Sequence, residues 1–123
     1  MLPYRFPRPL RIGLYVLACL VLLTLCLLPS PDLPDAPGGD RLHHVVAWFI
    51  LTVTGYALAP DRRLAIPAFA LAFGAFVEVA QGLAPTGRHA DLPDFAADAI
   101  GVGLGVLAFA VVRRLAPGRV GAT

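Results

Sequence analysis

Glu78 and Gln81 are polar side chains within an otherwise apolar stretch of the sequence. They lie three residues apart, so on a helix both would project from one face. A carboxylate inside a membrane costs on the order of 2–3 kcal/mol, so Glu78 must face a bundle interior or a wet cavity, and it must be paired or protonated. Two interpretations follow: a functional carboxylate, or a purely structural polar contact.

A second series of carboxylates follows at helical intervals. Asp91, Asp94 and Asp98 are spaced by three and four residues, and the same stripe continues to Gly101 and Gly105. Glycines four residues apart allow close helix approach in lipid. We therefore expect a helix with one face acidic near its start and glycine-lined deeper in, packed against the helix that carries Glu78.

Histidine and arginine accompany these carboxylates. His44 lies one turn after Asp40 and shares its helix face, although Asp40 could simply cap that helix. A histidine near a helix end is either hydrogen-bonded structure or a ligand, and the sequence leaves both open. Arg41 and Arg88 are natural partners for the carboxylates, and a guanidinium could equally bind a phosphate in a bidentate fork.

Few recognised catalytic patterns occur in the chain. It has no H-E-x-x-H or other strong metal-binding spacing, no Gly-rich phosphate loop and no dinucleotide fingerprint. We therefore predict no metal and no other cofactor. A metal-assisted site would use His44 with Asp40, Asp91 or Asp94, because imidazole and carboxylate suit zinc or similar ions. As catalytic groups, the candidates are Glu78, His44 and Asp94.

Composition indicates that membrane helices position these residues. Of the 123 residues, 58% are hydrophobic and 15% are charged, against about a quarter charged in a soluble domain. Four apolar stretches are each close to the length that spans a bilayer. The sequence therefore predicts a single all-α domain over residues 1–123, an integral membrane protein with four transmembrane helices at about 10–28, 42–59, 64–83 and 95–112.

The arginines predict the orientation of these helices. The chain has ten cationic residues, all arginine, and all but Arg41 and Arg88 flank the same end of the four predicted helices. By the positive-inside rule, both termini and the turn between the second and third helices are cytoplasmic. The loops at about 29–41 and 84–94, which carry most of the carboxylates, then face outward. Because topology explains the arginines, we expect no nucleic-acid binding.

Four short motifs resemble the VanZ-like membrane proteins. Asp40-Arg41-Leu42-His43-His44, followed by Trp48-Phe49, resembles the D-[KR]-x-x-H motif of that family. Glu78-x-x-Gln81, Arg88-x-x-Asp91-x-x-Asp94 and Asp98-x-x-Gly101 are similar to its E-x-x-Q, R-x-x-D-x-x-D and N-x-x-G motifs. The resemblance covers residues 20–112, with Asp98 in place of the usual asparagine. It implies a multi-pass protein of the bacterial inner membrane, with relatives that confer resistance to teicoplanin.

Three functions remain open. The expected one is a non-catalytic envelope protein that binds a lipid, or a lipid-linked or lipoglycopeptide ligand, at its outer face. The second is an intramembrane enzyme in which Glu78 is an acid or base and Arg88 holds a phosphate. The third is a small proton-coupled transporter with Glu78 and Asp98 as relay groups. Oligomeric state stays open. The candidate ligand-binding residues are Asp40, Arg41, His44, Glu78, Gln81, Arg88, Asp91, Asp94 and Asp98.

Overall fold

The computed structural model describes residues 3–27, 39–83 and 92–115, and this part of the chain is helical with no strand. A 3-10 turn at Pro3–Arg5 precedes four α-helices: α1 (Arg8–Leu27), α2 (Gly39–Leu58), α3 (Ala65–Leu83) and α4 (Leu92–Leu115). Three of them, within Arg8–Cys26, Ala65–Leu83 and Phe95–Leu115, are long and apolar enough to cross a membrane. In α2 the apolar segment Leu42–Leu58 is shorter. The prediction of an all-α membrane protein is confirmed.

Helices α2 and α4 extend beyond their apolar cores. The apolar pattern predicts starts at 42 and 95, whereas α2 begins at Gly39 and α4 at Leu92. In α4 the second residue is Pro93, and proline is tolerated in a first turn because the N–H groups there have no partner within the helix. The far end of α4 contains Arg113 and Arg114, cations that favour the negative end of the helix dipole. Both helices therefore extend past their apolar segments into turns that contain polar residues.

The closest packing is between α2 and α4, which share the most extensive contact of any pair of helices. A Cβ atom on Gly101 would lie 2.9 Å from the backbone nitrogen of Phe49, and one on Gly105 would lie 2.7 Å from Thr52. The expectation that this glycine stripe packs against the helix of Glu78 is therefore wrong, because both glycines lie against α2. Gly74 of α3 does face α4, where its Cβ would lie 2.9 Å from Asp98 Oδ2.

One end of the bundle is closed by contacts that involve the predicted cytoplasmic arginines. The Arg11 side chain donates to the carbonyls of Phe6 and Leu58, each at 3.1 Å. At the same end, the Tyr56 hydroxyl donates to the carbonyl oxygen of Arg63 at 2.8 Å. The start of α1, the end of α2 and the turn before α3 therefore meet, and we call this the arginine end.

The end of α4 joins the arginine end through aromatic contacts. The Phe109 ring stacks on Tyr56 with centroids 4.0 Å apart, and the Arg113 guanidinium lies 5.7 Å from the Phe109 centroid. It follows that the ends of α1 and α3 and the starts of α2 and α4 lie at the opposite end, which we call the polar end.

The bundle interior is narrow and its outer surface is apolar. Trp48, Leu51, Ala70, Val77 and Val102 form the buried core together with two buried cysteines of α1. Many large apolar side chains remain exposed on all four helices, as lipid-facing surfaces require. Burial therefore reports helix–helix contact, and each of the few buried polar side chains requires a polar partner inside the bundle.

Candidate functional site

Three helices bring His44, Glu78 and Asp98 together near the polar end. His44 lies five residues into α2, Glu78 five residues before the end of α3, and Asp98 six residues into α4. At 1.5 Å of rise per residue, each lies about 7–9 Å inside its helix end. The three positions are thus level with one another, although they are far apart in the sequence.

The three side chains form a compact buried cluster. His44 Nδ1 lies 2.6 Å from Asp98 Oδ1, a short hydrogen bond between an imidazole and a carboxylate. One potential ligand atom from each of His44, Glu78 and Asp98 lies within 4.8 Å of the others. Their exposed fractions are 3%, 8% and 0%. We refer to these three residues as the His–Glu–Asp cluster.

Trp48 lies directly beneath the cluster. Its ring is stacked on that of His44, with centroids 5.4 Å apart and 7° between the planes. Trp48 is fully buried, and its Nε1 donates a hydrogen bond of 2.9 Å to the Ala70 carbonyl. A Cβ atom at Gly74 would lie 3.2 Å from that nitrogen and 2.9 Å from Asp98 Oδ2, so the glycine makes room for both side chains.

Trp48 was not among the predicted site residues. The available signal was its position four residues after His44, which places the two rings on one helix face. A tryptophan in an apolar helix is ordinary core, so this spacing alone did not distinguish it.

Gln81 connects the site helix α3 to α1. Its Nε2 donates a hydrogen bond of 2.8 Å to the carbonyl of Cys26, in the last turn of α1, where carbonyl groups lack a partner within the helix. Gln81 is 1% exposed, and its Oε1 accepts no hydrogen bond from the described residues. Gln81, a predicted ligand-binding residue, therefore makes a contact that anchors α3 to α1, one helical turn from Glu78.

The remaining predicted site residues fall on the least described part of the chain. The backbones of Asp40, Arg41 and Asp94 lie in the first turns of α2 and α4, at the polar end, but their side chains lie outside the described part. Arg88 and Asp91 lie outside the described residues altogether. The roles assigned to these five residues stay predictions.

Electrostatics make the His–Glu–Asp cluster attractive to a positive charge. Two ionised carboxylates with oxygens within 4.8 Å of each other would repel by about 3.5 kcal/mol or more at an effective dielectric constant near 20. A protonated His44, a neighbouring guanidinium or a bound cation would each offset this repulsion. The cluster can therefore hold a cation, move a proton between His44 and Asp98, or accept hydrogen bonds from a polar ligand.

Comparisons of the chain with protein families, with curated proteins and with solved structures find no match.

Proposed function

We propose that the chain is a VanZ-like protein of the bacterial inner membrane that binds a lipid or a lipid-linked ligand at an outward-facing polar end. Such binding would alter the cell envelope, including its sensitivity to the lipoglycopeptide teicoplanin. One observation carries the proposal. His44, Glu78 and Asp98, which belong to three different motifs of the VanZ resemblance, lie within 4.8 Å of one another in a buried cluster.

The composition of the cluster favours function over a structural contact. Holding two helices together would take only one hydrogen-bonded pair, such as His44 with Asp98. A third ionisable side chain, Glu78, adds a further desolvation cost inside a membrane bundle. Ionisable residues at such depth usually mark binding sites or transport pathways. This supports a site that uses the three ionisable side chains together.

An apolar groove whose lining does not include the three cluster residues supports a ligand with a lipid tail. It lies between α1 and α2, has a volume of about 520 Å³, and extends from Leu25 and Val46 near the polar end toward Leu14 and Thr54. Val46 is two residues from His44, so the two lie at similar depth but project from nearly opposite faces of α2. A single ligand would therefore place its headgroup over the polar end and pass its acyl chain around α2 into the groove. Teicoplanin carries an acyl chain, whereas vancomycin does not.

The test is drug sensitivity in a host that both glycopeptides inhibit. Cells would express the wild type, Glu78→Gln, or the control Asp61→Asn, which makes the same acid-to-amide change at an exposed position of the arginine end. We expect the wild type and Asp61→Asn to raise the inhibitory concentration of teicoplanin, and Glu78→Gln to return it to that of empty vector. Vancomycin sensitivity should not change.

Membrane levels of the three proteins must be matched by immunoblotting before these values are compared. Full protection by Glu78→Gln would mean that the buried carboxylate is not needed, and the proposed site would be wrong. No protection by the wild type would remove teicoplanin from the proposal.

An intramembrane enzyme is the second candidate, and the His44–Asp98 contact favours it. A carboxylate 2.6 Å from an imidazole nitrogen fixes the ring orientation, and the ring could then move a proton on a substrate beside Glu78. Lipid profiles from cells with wild type or His44→Gln distinguish the two candidates. A product present only with the wild type would favour catalysis.

A proton-coupled transporter receives less support. Among the residues that the structure describes, the arginine half of the bundle contains no buried carboxylate or imidazole to continue a relay from Glu78 and Asp98. Unchanged proton flux in vesicles carrying Glu78→Gln would exclude this alternative.

A further inference from the structure

We propose that His44, Glu78 and Asp98 form a binding site for one divalent transition-metal cation of the zinc class. The sequence predicted no metal, because these residues come from three helices and form no local ligand spacing. This inference does not rest on the proposed envelope function, since metal binding is measured on the purified protein without any envelope ligand.

The donor set is the first argument. One imidazole nitrogen and two carboxylate oxygens are ligands that zinc and similar first-row cations accept. Two carboxylates also balance a charge of +2, so the loaded cluster would be electrically neutral in a region where unbalanced charge is costly. Three protein ligands leave one position open on a tetrahedral ion, as in zinc sites that bind water or a substrate.

Distances within the cluster are the second argument. Ligands at about 2.0–2.2 Å from a tetrahedral ion lie about 3.3–3.6 Å from one another. The cluster atoms lie within 4.8 Å of one another, so the Glu78 carboxylate needs to approach the other two ligand atoms by only about an ångström. Rotation of the flexible Glu78 side chain can supply this movement. The backbones need not move.

The His44–Asp98 contact adds a specific consequence. At 2.6 Å, Nδ1 and Oδ1 are closer than two ligands of one tetrahedral ion, so this hydrogen bond must open if both atoms bind the metal. The His44 ring would then shift against Trp48, on which it is stacked. Metal binding should therefore change the emission of Trp48, the chain's sole tryptophan.

The experiment measures metal on the full chain in detergent micelles. The protein is stripped with a chelator, dialysed against zinc and analysed by plasma mass spectrometry, and Trp48 emission is followed during titration with cobalt. We expect about one ion per chain in the wild type. Glu78→Gln and Asp98→Asn should each weaken binding at least about tenfold. The control is His43→Ala, which removes an exposed imidazole next to the site and should bind as the wild type does.

Two results would overturn the proposal. The first is wild-type protein that holds no stoichiometric zinc, in which case an arginine such as Arg41 or Arg88 is the better source of positive charge for the carboxylates. The second is binding that survives undiminished in folded Glu78→Gln and Asp98→Asn. Helical circular dichroism and gel filtration establish folding. Both substitutions preserve side-chain size. If one of the two variants fails to fold, the other still tests the proposal.

Discussion

At the scale of single residues, Trp48 supports the candidate site by contacts with all three helices that carry it. It stacks on His44, donates to the carbonyl of Ala70 on α3, and lies against Gly74 and Gly101. One side chain of α2 thus contacts both other helices that carry the cluster. Its stacking on the His44 ring adds to the hydrogen bond with Asp98 in fixing the orientation of that ring.

Substitution of Trp48 separates its hydrogen bond from its bulk. Trp48→Phe keeps an aromatic ring but removes the donor to Ala70, and should lower the free energy of unfolding by about 1 kcal/mol. Trp48→Ala also leaves a cavity and should cost about 3–5 kcal/mol. Unfolding by SDS in mixed micelles measures both.

The control for Trp48 is Val46→Ala, which shortens a half-exposed side chain of the same helix and should change stability by less than about 0.5 kcal/mol. Equal losses in the control and in Trp48→Ala would show that the tryptophan does not hold the helices together.

At this same scale, the sequence identified the ionisable residues of the cluster but not the side chain that packs against them. His44, Glu78 and Asp98 were recognised because ionisable residues beside apolar stretches are conspicuous. Their mutual contact could not be derived, since spacing along one helix says nothing about distances between helices. Trp48 was overlooked as part of the site because an aromatic residue in a membrane helix needs no special explanation.

At the scale of elements, the approach of α2 to α4 depends on Gly101. A Cβ atom there would lie 2.9 Å from the backbone nitrogen of Phe49 and 3.1 Å from the Trp48 Cβ. Backbone atoms inside a helix cannot yield as a flexible side chain can, so any larger residue must push the helices apart. That displacement would move His44 away from Asp98.

The pair Gly101→Ala and Gly103→Ala tests this dependence on one helix. Gly101→Ala should destabilise the protein by about 1–3 kcal/mol through overpacking. Gly103, two residues away, has nothing within 4 Å of an added Cβ atom, so its substitution should be neutral or slightly stabilising because alanine favours helix. The same micelle unfolding assay applies. Similar effects of both substitutions would show that α2 and α4 are not in close contact at Gly101.

Element boundaries and partners differ in how well the sequence predicts them. All four helices were predicted from apolar length, with bounds within three residues of those observed, because a bilayer requires long apolar helices. The stripe of Asp98, Gly101 and Gly105 was also predicted correctly as one face. The partner of the two glycines was assigned to α3 and is α2, whereas Asp98 lies against both α2 and α3. Periodicity defines which residues share a face, and packing complementarity decides which helix that face meets.

At the scale of the whole molecule, the bundle separates two kinds of charge. Arginines such as Arg11, Arg62 and Arg113 lie at one end, and the His–Glu–Asp cluster lies near the other. The separation agrees with the arginine distribution in the sequence, from which the positive-inside rule predicts that the arginine end is cytoplasmic. The envelope function proposed here depends on this orientation, because a site on the cytoplasmic side could not meet an external ligand.

Cysteine labelling tests that orientation. In a background with Cys19→Ala and Cys26→Ala, single cysteines replace Leu83, an 81% exposed residue at the polar end, and Asp61, an exposed residue at the arginine end. We expect a membrane-impermeant thiol reagent to label Leu83→Cys in intact spheroplasts and Asp61→Cys only after the membrane is opened, because opposite helix ends lie on opposite sides of the bilayer. Labelling of both after opening shows that each thiol is reactive. The reverse pattern in intact spheroplasts would place the cluster near the cytoplasm, where it could act only on an internal ligand.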